Sequence, residues 1–463
     1  MKHLHPSILE DYEIPLNRPK TLRMLQFGLD PALLGLADRL IDDANRAGAD
    51  FGLAVTGAME PELLRLLREQ EGLYTVFVRG EKDNARVNLE QVPQCILRVL
   101  DMEEDDAALM DLAGCGTLQS LLLWYDPAGE HRERDRTNEA AAARFLAECW
   151  RRGRGPMAVV VCAEDAEAPA EVLGRMKALA ESWRAPEAFT AYLESCRFLP
   201  CLADCLTFRA EAKEAALLCG RMNYLDGMIH IAEPWGEMRV GGPAEGALPV
   251  GFTEALAEAE DLAERRLLKH RLFDVGLFTL TATGLIRGDR TLFDCMKDEP
   301  LRELAGRAMT DEVLPALPLP REKAGPFVIR CYERYMNAMN DNRLEAVGRG
   351  LIPRFLRGVL PVYALREREG LPLPERLTVA LSCAILLLSD VRPGPGGWQT
   401  VLEGQPVDVH EAPEVLRAFS RLSSDMDPDS LAYAALSDRD LWDGRDLRDF
   451  DGLAEAVAAN LSN

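Results

Sequence analysis

The chain is poor in positive charge, in histidine and in long apolar runs, and each shortage removes a class of function. Its 53 Lys and Arg face 76 Asp and Glu, a formal charge of −23, so nucleic acid and anionic membranes would repel it at long range. The longest apolar run, Leu377–Leu388, is broken by Ser382 and falls short of the ~20 apolar residues that cross a bilayer. Met1–Glu10 has no apolar stretch of the kind that directs secretion. The 11 cysteines are an odd number, which suits no complete disulfide framework, and read as reduced thiols. Together these shortages predict a cytoplasmic protein with no nucleic-acid and no membrane partner.

Metal chemistry is equally undersupplied. Of 6 histidines, His3 and His5 lie near the start, His230 abuts a strand, and His270 reads as a surface or packing residue on a different helix face from Lys269. Cys196, Cys201, Cys205 and Cys219 lack the paired C-x-x-C spacing of zinc knuckles, and small buried thiols are the expectation. No metal site is predicted.

What is present is a large apolar complement: 48% hydrophobic and 28% charged residues over 463 positions. That composition buries a sizeable core, and ~100–200 residues per domain implies two domains or three. Early in the chain, strand-like runs alternate with helical ones. Leu22–Gly28, Phe51–Thr56, Leu73–Val78 and Ala158–Cys162 are short and apolar or β-branched, while Pro31–Asn45 and Pro61–Gln70 carry helical spacing. Such alternation predicts βαβ units in a doubly wound, Rossmann-like α/β domain. From about residue 250 the patterns at Thr253–Leu268, Asp298–Met309, Phe327–Met339, Leu344–Leu356 and Leu377–Leu388 are helical, which predicts an all-α C-terminal domain. The division is placed at Gly241–Gly251, giving domains over 18–250 and 251–463. Arg132–Arg136 reads as a solvated helix face of mixed sign. Gly394-Pro-Gly-Gly397 reads as a loop, since it lacks the lysine of a P-loop.

The first strand-to-helix turn is where a doubly wound domain would cradle a diphosphate, using glycines that let backbone N–H groups approach it. Here it runs Phe27-Gly28-Leu29-Asp30-Pro31-Ala32-Leu33-Leu34-Gly35. Gly28 and Gly35 suit cofactor binding. Asp30 puts a carboxylate where the anion would sit, and Pro31 removes a donor. Asp30 as N-cap with Pro31 at the first helical position makes a helix start that needs no ligand.

Several stretches carry a resemblance. Leu25–Gly28 with Gly35, Leu67–Gly80, Ile231-Ala-Glu-Pro234, Glu312–Leu317 and the closing segment Leu436–Leu453 resemble, in order, the tagaturonate reductases (altronate oxidoreductases) of the mannitol dehydrogenase family of polyol-specific long-chain dehydrogenases. The resemblance implies a dinucleotide-binding α/β domain, an α-helical domain, NAD as cofactor and a sugar acid or polyol as substrate. The family's F-G-x-G-N-F-x-R-G turn has its second glycine, asparagine and arginine at Asp30, Pro31 and Leu34 here. Its catalytic K-x-R-x-L-N-x-x-H matches Lys269-His-Arg-Leu-Phe-Asp-Val-Gly-Leu277: the lysine base is kept as Lys269 and the arginine as Arg271, while asparagine has become Asp274 and histidine Leu277. Another family asparagine falls on Pro200, with Asp204 kept. Beyond Arg334–Asn337, a histidine and a lysine are replaced by Asn342 and Arg354. Glu233, in the A-E-P segment, reads as a carboxylate that caps a turn.

A hydride-transfer dehydrogenase needs a held cofactor, a base for the alcohol proton and donors for the oxyanion. Losing one oxyanion donor alone costs ~10²–10³ in turnover. Asp274 is spaced to pair with Lys269 and hold it charged, which makes a poor base. Two readings follow. One is an impaired or inactive relative with a binding or regulatory role and a possible protein partner. The other is an active NAD(H)-dependent oxidoreductase on a keto sugar acid or ketose and its alcohol, with Lys269 as general base.

Overall fold

The computed structural model describes residues 1–57, 61–102, 104–126, 137–242, 247–248, 256–257, 259–394, 397–402 and 404–462. They form two compact units, Met1–Glu264 and Arg265–Asn463. Among the described residues no helix is long and apolar enough to cross a membrane. Arg132–Arg136 lies outside the described residues.

The first unit is built on an eight-stranded sheet. Six strands run parallel: Leu22–Phe27, Gly52–Thr56, Ile96–Val99, Ser120–Trp124, Ala158–Cys162 and Arg197–Asp204. Numbered by chain position, they lie in the order 3-2-1-4-5-6, so the winding reverses beside the first strand, where doubly wound sheets open their ligand crevice. Glu237–Gly241 adds antiparallel to Arg197–Asp204, and Leu256–Ala257 completes the edge. The strands are apolar on both faces because both are covered. Met24, Leu53, Val55 and Val160 pack with Leu33, Leu36 and Ile41 of the helix after the first strand. Leu25, Phe27, Ala54 and Val161 pack with Phe145 and Leu146 of the helix Asn138–Arg151 and with Val172 and Met176 of Ala168–Ser182.

The strand-like run near Leu73 begins three residues later, at Val76–Lys82, and does not join this sheet. It belongs to a second, four-stranded one with Ala85–Gln91, His230–Ala232 and Thr207–Arg209. Strand propensity reports a pleated, half-buried surface and says nothing of which sheet receives it.

The second unit is helical, centred on Asp274–Arg287, where every residue from Asp274 to Leu285 is buried. The helix Glu375–Leu388 packs along it, as the apolar run Leu377–Leu388 suggested. One correction to the all-α expectation concerns residues 392–409. Arg392–Gly394, Gly397–Leu402 and Gln405–Val409 form a three-stranded antiparallel sheet, in which Gly394 and Gly397 are cross-strand partners rather than loop residues. The Pro and Gly residues there punctuate a hairpin, and Gly397 has φ +138°, a conformation that favours glycine.

Candidate functional site

In the first unit, the turn lies at the end of the central strand. Gly28 has φ +109°, and its N–H donates to Thr56 O at 2.7 Å. A Cβ on it would come within 3.0 Å of Trp124 Cβ and Asn138 Nδ2. Only glycine meets both demands. Pro31 then opens the helix, which passes through a π-turn at Leu33–Ala37 into Asp38–Arg46. Asp30 caps it: Oδ1 accepts from Ala32 N at 2.8 Å, and its carbonyl accepts from Leu33 N at 2.9 Å and Leu34 N at 3.1 Å.

A helix start ordinarily offers unpaired N–H groups to an anion. Here Pro31 has none, and those of Ala32, Leu33 and Leu34 are already used by Asp30. These atoms do not fit a dinucleotide's diphosphate at this turn. Gly35 does not face the turn at all. A Cβ there would lie 2.1 Å from Thr207 Oγ1 and 3.0 Å from Thr207 Cβ, so this glycine lets the helix close onto the strand Thr207–Arg209.

Beneath the same helix lies a buried carboxyl that periodicity could not reveal. Asp38, fully buried, accepts from Tyr74 OH at 3.1 Å, and Tyr74 OH also reaches Leu34 O at 3.0 Å in the π-turn. Burial pushes the Asp38 carboxyl up to about 7, against the pull of Tyr74 and Gln26. Glu233 is also fully buried, and its Oε1 accepts from Leu206 N at 2.6 Å, closing the turn after Asp204. Pro200 lies within the strand Arg197–Asp204, paired with Val161. Cys196, Cys201, Cys205 and Cys219 are thiols outside any disulfide, all but Cys205 buried.

In the second unit, Lys269–Phe273 is a π-turn leading directly into Asp274–Arg287. Lys269 Nζ stands 3.3 Å from Asp274 Oδ2 and 3.5 Å from Oδ1, both side chains being nine-tenths or more buried. His270 is buried as well, with Nε2 4.0 Å from Asp274 Oδ2. Of the surface and packing alternatives for His270 the structure shows packing, and the wider π-turn brings Lys269, five residues before Asp274, onto the same carboxylate. Arg354 Nε approaches Asp274 Oδ1 to 3.9 Å. Leu277, in the family's histidine position, is buried.

Around this pair the packing is tight. Arg271 donates to Gly358 O at 3.5 Å and to Arg357 O, and burial brings its guanidinium down to about 10. Tyr335 OH donates to Phe273 O at 2.6 Å, and the Arg334 guanidinium lies 3.6 Å over the Phe273 ring. Glu411, unremarked in the sequence, is buried at the start of the helix carrying Arg354. Its Oε1 accepts from Ile352 N at 3.3 Å, and burial pushes it up to about 8 although Arg354 and Arg357 draw it down. Asn342 is not brought to Lys269. Its carbonyl accepts from Leu292 N at 3.0 Å, beyond the far end of the Asp274–Arg287 helix and roughly 25 Å along it at ~1.5 Å per residue.

A carboxylate in contact with the ammonium of Lys269 opposes loss of its proton, and an ionised Asp274 accepts hydrogen bonds where an asparagine amide would donate them. The cluster is a charge pair, with no donor from positions 274 or 277 for a developing oxyanion.

Comparisons with known proteins agree with this frame. No family model matches the chain. The altronate oxidoreductase of Bacillus subtilis (strain 168) is 24% identical over 461 residues, 95% of this chain and 92% of that protein. That of Klebsiella pneumoniae (strain 342) is 24% identical over 462 residues, 95% and 93% of the two chains. Among solved structures, Pseudomonas fluorescens mannitol 2-dehydrogenase, in a ternary complex with NAD and D-mannitol, matches with TM-score 0.81 at 15% identity, over 100% of this chain and 96% of that one. A substrate-free D-sorbitol dehydrogenase matches with TM-score 0.73 at 14% identity, over 99% and 97%. Over nearly its whole length the chain is thus similar to altronate oxidoreductases, and it shares the fold of mannitol 2-dehydrogenase.

Proposed function

We propose that this protein is a cytoplasmic, non-catalytic member of the family, which keeps the dehydrogenase frame for a binding or regulatory role. The observation that carries the reading is the Lys269–Asp274 contact of 3.3 Å. The lysine that would take the alcohol proton is held by a carboxylate standing where an amide donor is expected. The self-capped turn at Asp30 and Pro31 supports the same reading from the cofactor side.

The test is turnover of the purified chain with NAD or NADH and altronate, tagaturonate, fructuronate, mannitol and sorbitol. No rate above background is expected. A rate that Lys269→Ala abolishes would restore the dehydrogenase, with Lys269 as general base and a keto sugar acid or polyol as substrate.

A further inference from the structure

Among the described residues Ala85–Gln91 is the outer edge of the four-stranded sheet, seven residues long and paired with Val76–Lys82 on its inner side. Ala85, Arg86, Asn88, Leu89 and Glu90 are exposed, and Leu89, 46% exposed, is one of the few large apolar side chains left so open. Long exposed edges are templates for pairing, which proteins ordinarily shorten, cover or load with charge of one sign. This edge carries one charge of each sign, Arg86 and Glu90, placed symmetrically about Asn88.

The backbone fixes what such an edge can pair with. Asp83 and Asn84 have φ +53° and +61°, a two-residue turn whose flanking residues, Lys82 and Ala85, form a hydrogen-bonded pair. By alternation Arg86, Asn88 and Glu90 turn their N–H and C=O groups outward. The carbonyl of Glu81, cross-strand partner of Arg86, accordingly points away from this edge and accepts from Trp235 Nε1 at 2.9 Å. The hairpin is braced at its other end too, where Gln91 Nε2 donates to Asp43 Oδ1 at 3.0 Å and Asp42 Oδ2 at 3.2 Å.

We propose that this edge is a homodimer seam, in which a second copy of the chain pairs antiparallel about a two-fold axis at Asn88. In that register outward-facing residues meet outward-facing residues. Arg86 stands opposite Glu90 of the second copy, and Glu90 opposite its Arg86, so the edge is electrostatically complementary to itself. Val87 meets Leu89 twice on the other face, covering the exposed leucine. The overlying Arg221, which attracts Glu90 within the chain, lies on the face that the two charges share. A two-strand seam buries less than the ~1,200 Å² of a standard interface, so the dimer is micromolar in strength and independent of catalysis.

Sedimentation velocity of the full chain from about 1 µM to about 500 µM tests it. A reversible monomer–dimer equilibrium is expected. Glu90→Arg or Arg86→Glu alone sets like charges opposite each other twice and weakens the dimer about tenfold or more, while the double reversal R86E/E90R restores it. Asn88→Pro removes an outward donor without touching the inner ladder and also weakens the dimer. A monomer at every concentration overturns the proposal, as does a dimer indifferent to these substitutions.

Discussion

The two stretches that resemble the dehydrogenase motifs differ from those motifs in different ways. At Gly28–Leu34 the change is in the backbone: a proline removes one donor, and an aspartate consumes the next three. At Lys269–Asp274 it is in the side chains, where a carboxylate neutralises a lysine that is still present and still buried. Both stretches lie beside a π-turn, Leu33–Ala37 and Lys269–Phe273, a feature common at functional sites. The first unit's turn is satisfied by its own atoms and rests at a helix start, whereas the second unit's pair is a buried ionic commitment. The energetic consequences of disturbing them should therefore differ in size.

The largest effect is expected at the buried pair. Asp274→Leu removes the carboxylate that Lys269, His270 and Arg354 share and should cost about 3–5 kcal/mol in denaturant unfolding, while the double variant K269M/D274L should recover part of that loss. Equal losses in the single and double variants would mean that the pair does not act as a unit.

A smaller effect, of a few kcal/mol at most, comes from Asp38 beneath the first turn. Its folded-state value of about 7 lies above the ordinary 3.8, so the folded chain binds this proton more tightly than the unfolded one. Stability from this group is full below about pH 4, falls as pH rises toward 7 and is flat above. Asp38→Asn should flatten that part of the pH profile of the melting temperature. His230, lowered to about 4 by burial, acts in the opposite direction, its stability contribution falling as pH drops from about 6.5 to 4. An unchanged profile in the Asp38→Asn protein would remove the buried carboxyl from the account. The smallest effect belongs to the turn itself. Asp30→Ala deletes a helix cap and should cost only about 1 kcal/mol; a loss as large as that at Asp274 would erase the contrast between the two regions.

Much of this was legible in the residues. Apolar strands buried on both faces announced the doubly wound sheet, and Asp30-Pro31 announced the helix start. What escaped detection has physical causes. The Val76–Lys82 strand has the same propensity in either sheet, so its membership of the second one is a tertiary outcome. Pro393 and Gly397 break a helical pattern whether a loop or a hairpin follows. An unbroken α-helix sets His270 on a different face from Lys269, and the π-turn Lys269–Phe273 shifts that register. Asp38 is followed by Arg39, Asp42 and Asp43, and Glu411 sits between Asp408 and Glu414, so nothing in their spacing shows that they are buried.

The proposed non-catalytic role requires that the turn at Gly28–Leu34 hold no dinucleotide. Titrating the purified chain with NADH and NADPH while following nicotinamide fluorescence tests it most directly. The account predicts no saturable binding up to millimolar cofactor; saturation in the micromolar range would contradict it.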